Sequence, residues 1–163
     1  MPVPADTRLL IAPTTRRAVI LAGAAALAGF GWQALAPDRP PAPPSIDPQA
    51  AHQRALAGDL LLVDIRRPDE WRATGIGAGA RPVDMRRADF IETLTGLAGG
   101  DSARPVALIC ARGVRSARLA RRLKAEGFTR VLDVSEGMAG SAAGPGWLAR
   151  GLPVAPPTGA GNP

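Results

Sequence analysis

The sequence predicts an α/β domain built on a central parallel sheet with helices on both faces. Three observations carry that expectation. Leu60–Ile65 and Val106–Ile109 are short, unbroken apolar runs, the pattern of strands buried on both sides. Each leads into a helix start: Pro68-Asp69-Glu70 puts proline and acids in a first turn, and Gly113 precedes Ala117, Ala120 and Leu123 at helical spacing. Val131–Val134 supplies a third run of the same kind.

In chain order, Arg16-Arg17 runs into an apolar stretch, residues 18–36, interrupted only by Gln33. That layout is an export signal, and paired arginines ahead of two hydrophobes resemble the twin-arginine type. The expectation for residues 1–36 is therefore a periplasmic protein, with this segment either removed or kept as a membrane anchor. Ala34-Leu35-Ala36 has the small-x-small form of a cleavage site, whereas Pro37 directly after it argues against cleavage. Residues 37–48 contain six prolines and read as an extended spacer. The domain proper is expected at residues 49–154. It opens with a helix at about Pro48–Ala57 closed by Gly58, then the Leu60–Ile65 strand, a short helix from Pro68, a short strand near Arg81–Val83 and a helix near Ala88–Leu97. The Cys110 strand and its helix follow, then Val131–Val134 and a glycine-rich loop, 137–147, that reads equally as a pocket rim or a surface insertion. Residues 155–163 read as a disordered tail.

With 163 residues, 46% hydrophobic and 4% aromatic, the chain can bury one modest core and not two. Beyond residue 36 it keeps 17 cationic side chains against 13 carboxylates, and Arg112–Lys124 holds six of the cations and no acid. This run lacks interleaved aromatics, which argues against nucleic acid as a partner. It fits a field that draws in a small anion, and equally a solvated helix face. One cysteine and one histidine make no metal cluster. His52 precedes the first strand and reads as a packing residue, which disfavours a Cys–His hydrolase.

The chemistry centres on the only cysteine. Cys110 ends a strand and enters a turn, Ala111-Arg112-Gly113-Val114-Arg115-Ser116, at a helix start. Amides of such a turn form a concavity that prefers negative charge, the helix dipole adds to it, and two arginines flank the sulfur. These neighbours predict a nucleophilic thiolate; the competing reading is a buried core cysteine.

The loop Cys110-Ala111-Arg112-Gly113-Val114-Arg115-Ser116 resembles the active-site loop of rhodanese sulfurtransferases, Cys-x-x-Gly-x-Arg-Ser. Asp64-Ile65-Arg66 with Glu70-Trp71, Gly77-Ala78, and Glu136-Gly137 with Trp147 and Gly151-Leu152-Pro153-Val154 resemble further family segments in the same order. A histidine commonly found before Ile76 is replaced by Gly75. The resemblance implies a Cys110 persulfide, a substrate cradle of residues 111–116, donor binding by Arg112 and Arg115, and loop support from Asp64 and Arg66, with no cofactor. For Asp64 and Arg66 the alternative is a purely structural ion pair. Arg115 follows Cys110 by five positions, a smaller ring than the Cys-x5-Arg loop of related phosphatases and arsenate reductases. The smaller loop resembles the sulfurtransferase version, and that resemblance implies sulfane sulfur moving from thiosulfate or a similar anion to cyanide or a thiol. The alternative is a module that carries or senses sulfur, or docks a partner, without turnover.

Overall fold

The computed structural model describes residues 41–157. Residues 1–36, expected to be an export signal or anchor, and the start of the spacer lie outside them, as do residues 158–163. No helix among the described residues is long and apolar enough to cross a membrane.

The elements are α1 (Pro48–Leu56), β1 (Leu61–Asp64), α2 (Pro68–Thr74), β2 (Ile76–Gly77), β3 (Arg81–Pro82), α3 (Phe90–Leu97), β4 (Val106–Ile109), α4 (Val114–Ala125), β5 (Val131–Asp133), α5 (Gly146–Ala149) and β6 (Val154–Ala155). Four strands form one parallel sheet in the order β3-β1-β4-β5. Every side chain of β1 and β4 is buried, as two-sided strands require. The strand period of two sorts them onto opposite faces. Leu61, Val63, Val106 and Leu108 pack with Phe90, Leu94, Leu119 and Leu123 of α3 and α4. Leu62, Ala107 and Ile109 pack with Ala51 of α1 and with Met138 and Trp147. Helices thus cover both faces of the sheet. Trp71 is buried, and His52 meets Trp147 edge-on while its Nδ1 lies 3.0 Å from the Ala78 carbonyl oxygen, the packing role its position suggests.

Local chemistry sets the boundaries. The Asp47 carboxylate accepts the Gln49 and Ala50 amides at 3.0 Å, capping α1 with Pro48 in the first turn. The Arg67 amide donates to Glu70 Oε2 at 3.0 Å, starting α2. The helix expected from Ala88 begins instead at Phe90, because Arg87 and Asp89 are tied to each other ahead of it.

Two expectations need correction. The spacer does not run free to residue 48: Asp133 donates its amide to the Pro44 carbonyl at 2.8 Å and the Ile46 amide donates back to Asp133 at 3.0 Å, so this segment lies along the outer edge of β5. Extended proline-rich backbone suits a sheet edge, where few amides are needed. The tail does not begin at residue 155: β6 pairs antiparallel with β2, Ile76 opposite Ala155.

Candidate active site

The site forms beyond the carboxyl ends of the parallel strands, where open α/β sheets hold their ligands. Register brings the strand ends together. Asp64 lies opposite Ile109, the residue before Cys110, and Asp133 lies opposite Leu108. Cys110 then starts the loop that α4 ends, with Gly113 in the left-handed region at φ 78°. A β-carbon at Gly113 would collide with the Ser135 carbonyl, so both the conformation and the space call for glycine.

The neighbouring segment 137–139 sets the loop's orientation. Met138 donates its amide to the Cys110 carbonyl and Ala139 to the Ala111 carbonyl, each at 2.9 Å. In a trans peptide the carbonyl and the next amide point opposite ways. The amides of Ala111 and Arg112 are therefore turned away from this segment, and those of Arg112 to Ser116 donate to no backbone carbonyl among the described residues. Gly137 permits the approach: a β-carbon there would stand 2.5 Å from the Ala111 oxygen. Residues 137–147 are thus neither a free insertion nor simply a rim, but the backing of the loop. Glu136 fastens the far end, accepting the Gly146 amide at 2.9 Å and both arms of Arg150 at 2.6 and 2.8 Å. The Arg150 guanidinium holds the Glu136 carboxyl below its usual range.

Cys110 itself is only 1% exposed, against a surface of Val63, Leu119 and their neighbours. Its sulfur is not enclosed by hydrocarbon alone. Ser116 Oγ lies 3.3 Å from Sγ and also donates to the Gly113 carbonyl at 3.0 Å. Arg112 is exposed, and Val114 is 69% exposed, so the outer lip of the loop faces solvent.

Arg115, expected both to bind a donor and to tie the loop, has a fixed partner. Its two terminal nitrogens donate to Glu70 at 2.8 and 2.6 Å, a two-pronged bond from α4 to α2. That bond lowers the Glu70 pKa to about 2 and raises that of Arg115, which also feels the Cys110 sulfur. Arg112 has no ion-pair partner among the described residues.

The Asp64 carboxylate makes its hydrogen bonds to Arg66 and none to the loop, contrary to the expectation that they orient it. Its carboxylate accepts the Arg66 amide at 3.1 Å, Arg66 Nε at 2.9 and 3.0 Å, and Nη2 at 2.7 Å. Arg66 in turn reaches Thr74 Oγ1 at 2.7 Å and the Gly75 carbonyl at 2.6 Å, clamping the end of α2. This pair is the structural alternative. The link from α2 to the loop is Glu70, which the sequence shows only as part of a Glu70-Trp71 pair.

A family model for the rhodanese-like domain matches residues 47–143, more than half of the chain. No curated protein matches. Among solved structures, Rv0390 from M. tuberculosis is 27% identical with a TM-score of 0.55, covering 69% of this chain and 97% of its own. The polysulfide-sulfur transferase homodimer of Wolinella succinogenes is 26% identical with a TM-score of 0.50, covering 73% and 82%. The Alr3790 protein from Anabaena sp., at 19% identity and a TM-score of 0.55, covers 68% and 80% and attests the fold alone. A Cys-x-x-Gly-x-Arg-Ser loop at the end of a buried parallel strand, backed by a glycine-containing segment, agrees with that match, and the chain belongs to the rhodanese-like domain family.

Proposed function

We propose that this protein is a sulfurtransferase that moves sulfane sulfur from thiosulfate or a similar small anion to cyanide or a thiol through a persulfide on Cys110. The observation that carries the reading is the loop itself: its carbonyls are taken by Met138 and Ala139, leaving consecutive amides able to donate to an anionic sulfur. A Wolinella succinogenes relative described as a polysulfide-sulfur transferase supports sulfur transfer in general.

In the first half-reaction the Cys110 thiolate attacks the outer sulfur of thiosulfate. A new S–S bond forms as the donor's S–S bond breaks, and sulfite leaves with the electron pair. In the second, cyanide or a thiolate attacks the terminal persulfide sulfur and Cys110 leaves as thiolate. No general base is needed for an ionised nucleophile. Arg112, on the exposed lip and without a carboxylate partner, attracts the donor, while Arg115 holds the loop through Glu70. Ser116, whose hydroxyl donates to the Gly113 carbonyl, keeps its oxygen 3.3 Å from the sulfur and braces the loop around it.

A second reading, a sulfur carrier without turnover, draws on the burial of Cys110, which would shelter a stored persulfide. Mass spectrometry after thiosulfate and a thiocyanate-formation assay separate them. Transfer predicts a gain of one sulfur on Cys110, ping-pong kinetics and loss of both in Cys110→Ser. A stable adduct with no thiocyanate supports the carrier, and no adduct with Cys110→Ser equally active removes both. The proposal that the protein is exported rests on residues 14–36, outside the described residues, and is tested by cell fractionation and sequencing of the mature N-terminus.

A further inference from the structure

Helix α4, which starts at the lip of the cysteine loop, contains no acidic residue and turns Arg118, Arg121, Arg122 and Lys124 to solvent. Two of these cations have local duties. Arg122 lies 3.7 Å from Glu126, and both Arg122 and Lys124 stand in the last turn, where positive charge complements the helix dipole. Arg118 and Arg121 stand mid-helix, and neither has an ion-pair partner among the described residues. Val114, 69% exposed, is the first residue of the helix. With about 3.6 residues per turn, Val114, Arg118, Arg121 and Ala125 fall on one face, and all four are exposed. An apolar tip followed by two unpaired guanidinium groups thus forms a stripe that begins at the cysteine loop and runs down the helix.

The stripe is longer than a small donor needs. At about 1.5 Å per residue, Arg121 lies about 10 Å down the helix axis from Val114, and exposed charges more than about 8 Å apart are largely screened at physiological salt. A thiosulfate ion at the loop therefore gains little from Arg121, whereas a protein surface laid along the helix meets both arginines at contact distance. We propose that this face of α4 docks the acidic surface of a protein whose own thiol is the sulfur acceptor. Arg118 and Arg121 meet its carboxylates, and Val114 meets an apolar side chain beside its cysteine. The inference rests on the sulfur-transfer reading and names the acceptor class for it. The partner's thiolate attacks the outer sulfur of the Cys110 persulfide, a new S–S bond forms as the old one breaks, and Cys110 leaves as thiolate, so no oxidant or reductant is needed. A lipid surface fits the charge but brings no acceptor to the loop at which the stripe begins.

The test uses two synthetic peptides with a single cysteine each, one flanked by glutamates and the other by glutamines. Sulfur transfer from the persulfide-loaded full chain to the glutamate peptide is expected to be about tenfold faster at low salt. Flanking carboxylates raise a thiol's pKa and leave less thiolate, so intrinsic reactivity works against this result. The advantage is expected to vanish at high salt, and to vanish in the double variant Arg118→Glu with Arg121→Glu while thiocyanate formation from cyanide stays native. Equal rates for the two peptides overturn the inference. So does a double variant that slows cyanide in the same proportion, since the face then only draws in small anions. A second measurement needs no sulfur: fluorescence anisotropy of a labelled glutamate peptide with serine in place of cysteine. It is expected to bind the native chain at low salt, to be released by added salt, and to bind the double variant several-fold more weakly; equal binding by both chains overturns the inference. Vesicles of phosphatidylcholine and phosphatidylglycerol that still bind the native chain at a salt concentration releasing the peptide also overturn it, and make the face a membrane contact. A chain that binds the peptide through Arg118 and Arg121 yet takes up no sulfur loses the proposed turnover and keeps the docking face. One that forms thiocyanate but does not discriminate the peptides loses only the docking face.

Discussion

Two arginine–carboxylate pairs flank α2, and they are built to different specifications. The Arg66–Asp64 pair is sealed, with side chains 3% and 0% exposed, and Arg66 spends its donors on Asp64, Thr74 and Gly75. The Arg115–Glu70 pair is open to water, with side chains 35% and 20% exposed. The sealed pair joins β1 to the end of α2 and makes no hydrogen bond to the cysteine loop. The open pair joins α2 to the loop. The contrast suggests that charge serving the frame is saturated and dry, whereas charge serving the site stays near solvent, where the loop can adjust to an incoming anion.

The largest expected effect therefore lies farther from the sulfur. Removing one partner of a buried pair strands the other charge, which costs about 3–5 kcal/mol. Arg66→Ala is expected to lower stability by that amount in urea unfolding, through loss of a clamp on Thr74 and Gly75 as well as on Asp64. If Arg66→Ala costs no more than Glu70→Ala, the division between frame and loop fails.

The open pair should show the reverse balance. Exposed ion pairs contribute about 1 kcal/mol or less, so Glu70→Gln is expected to unfold almost where the native protein does. Yet it frees Arg115 and lets the loop drift, and small misplacements at reacting groups cost on the order of tenfold to a hundredfold in rate. Single-turnover persulfide formation from thiosulfate should slow by that factor. A variant that loses stability but keeps its loading rate would show that the tether belongs to the frame after all.

The parts legible in the sequence were those whose information is local. Leu60–Ile65 and Val106–Ile109 announce buried strands because two-sided burial leaves no polar position, and the Cys110 loop announces itself because sulfur, glycine and arginine stand in seven consecutive residues. The rest depends on contacts between distant segments. Strands β2 and β6 have two residues each, too few for any period to register, and they exist because residues 76–77 meet residues 154–155. Asp64 and Asp133 both sit at strand ends, yet one is saturated by Arg66 and the other keeps an unpartnered oxygen; composition cannot tell them apart. The amides of Met138 and Ala139 that orient the loop are backbone groups, invisible in side-chain spacing, although Glu136-Gly137 marks the place.

The smallest effect is the dependence of the open pair on pH, and its sign is fixed. Glu70 titrates near 2 in the folded chain against an ordinary value of 4.5, chiefly because Arg115 donates to it. A depressed acid contributes stability that is complete above pH 4.5 and is lost as pH falls toward about 2. Solvent around the pair keeps the contribution to about 1 kcal/mol or less, well below what the shift alone would give. The difference in unfolding free energy between the native protein and Glu70→Gln should thus be constant above pH 4.5 and shrink through that interval. Added salt should narrow it further, because a half-exposed pair is screened where the sealed Arg66–Asp64 pair is not. A difference that ignores both acid and salt would mean that Arg115 is held by the packing of the loop and not by the Glu70 charge.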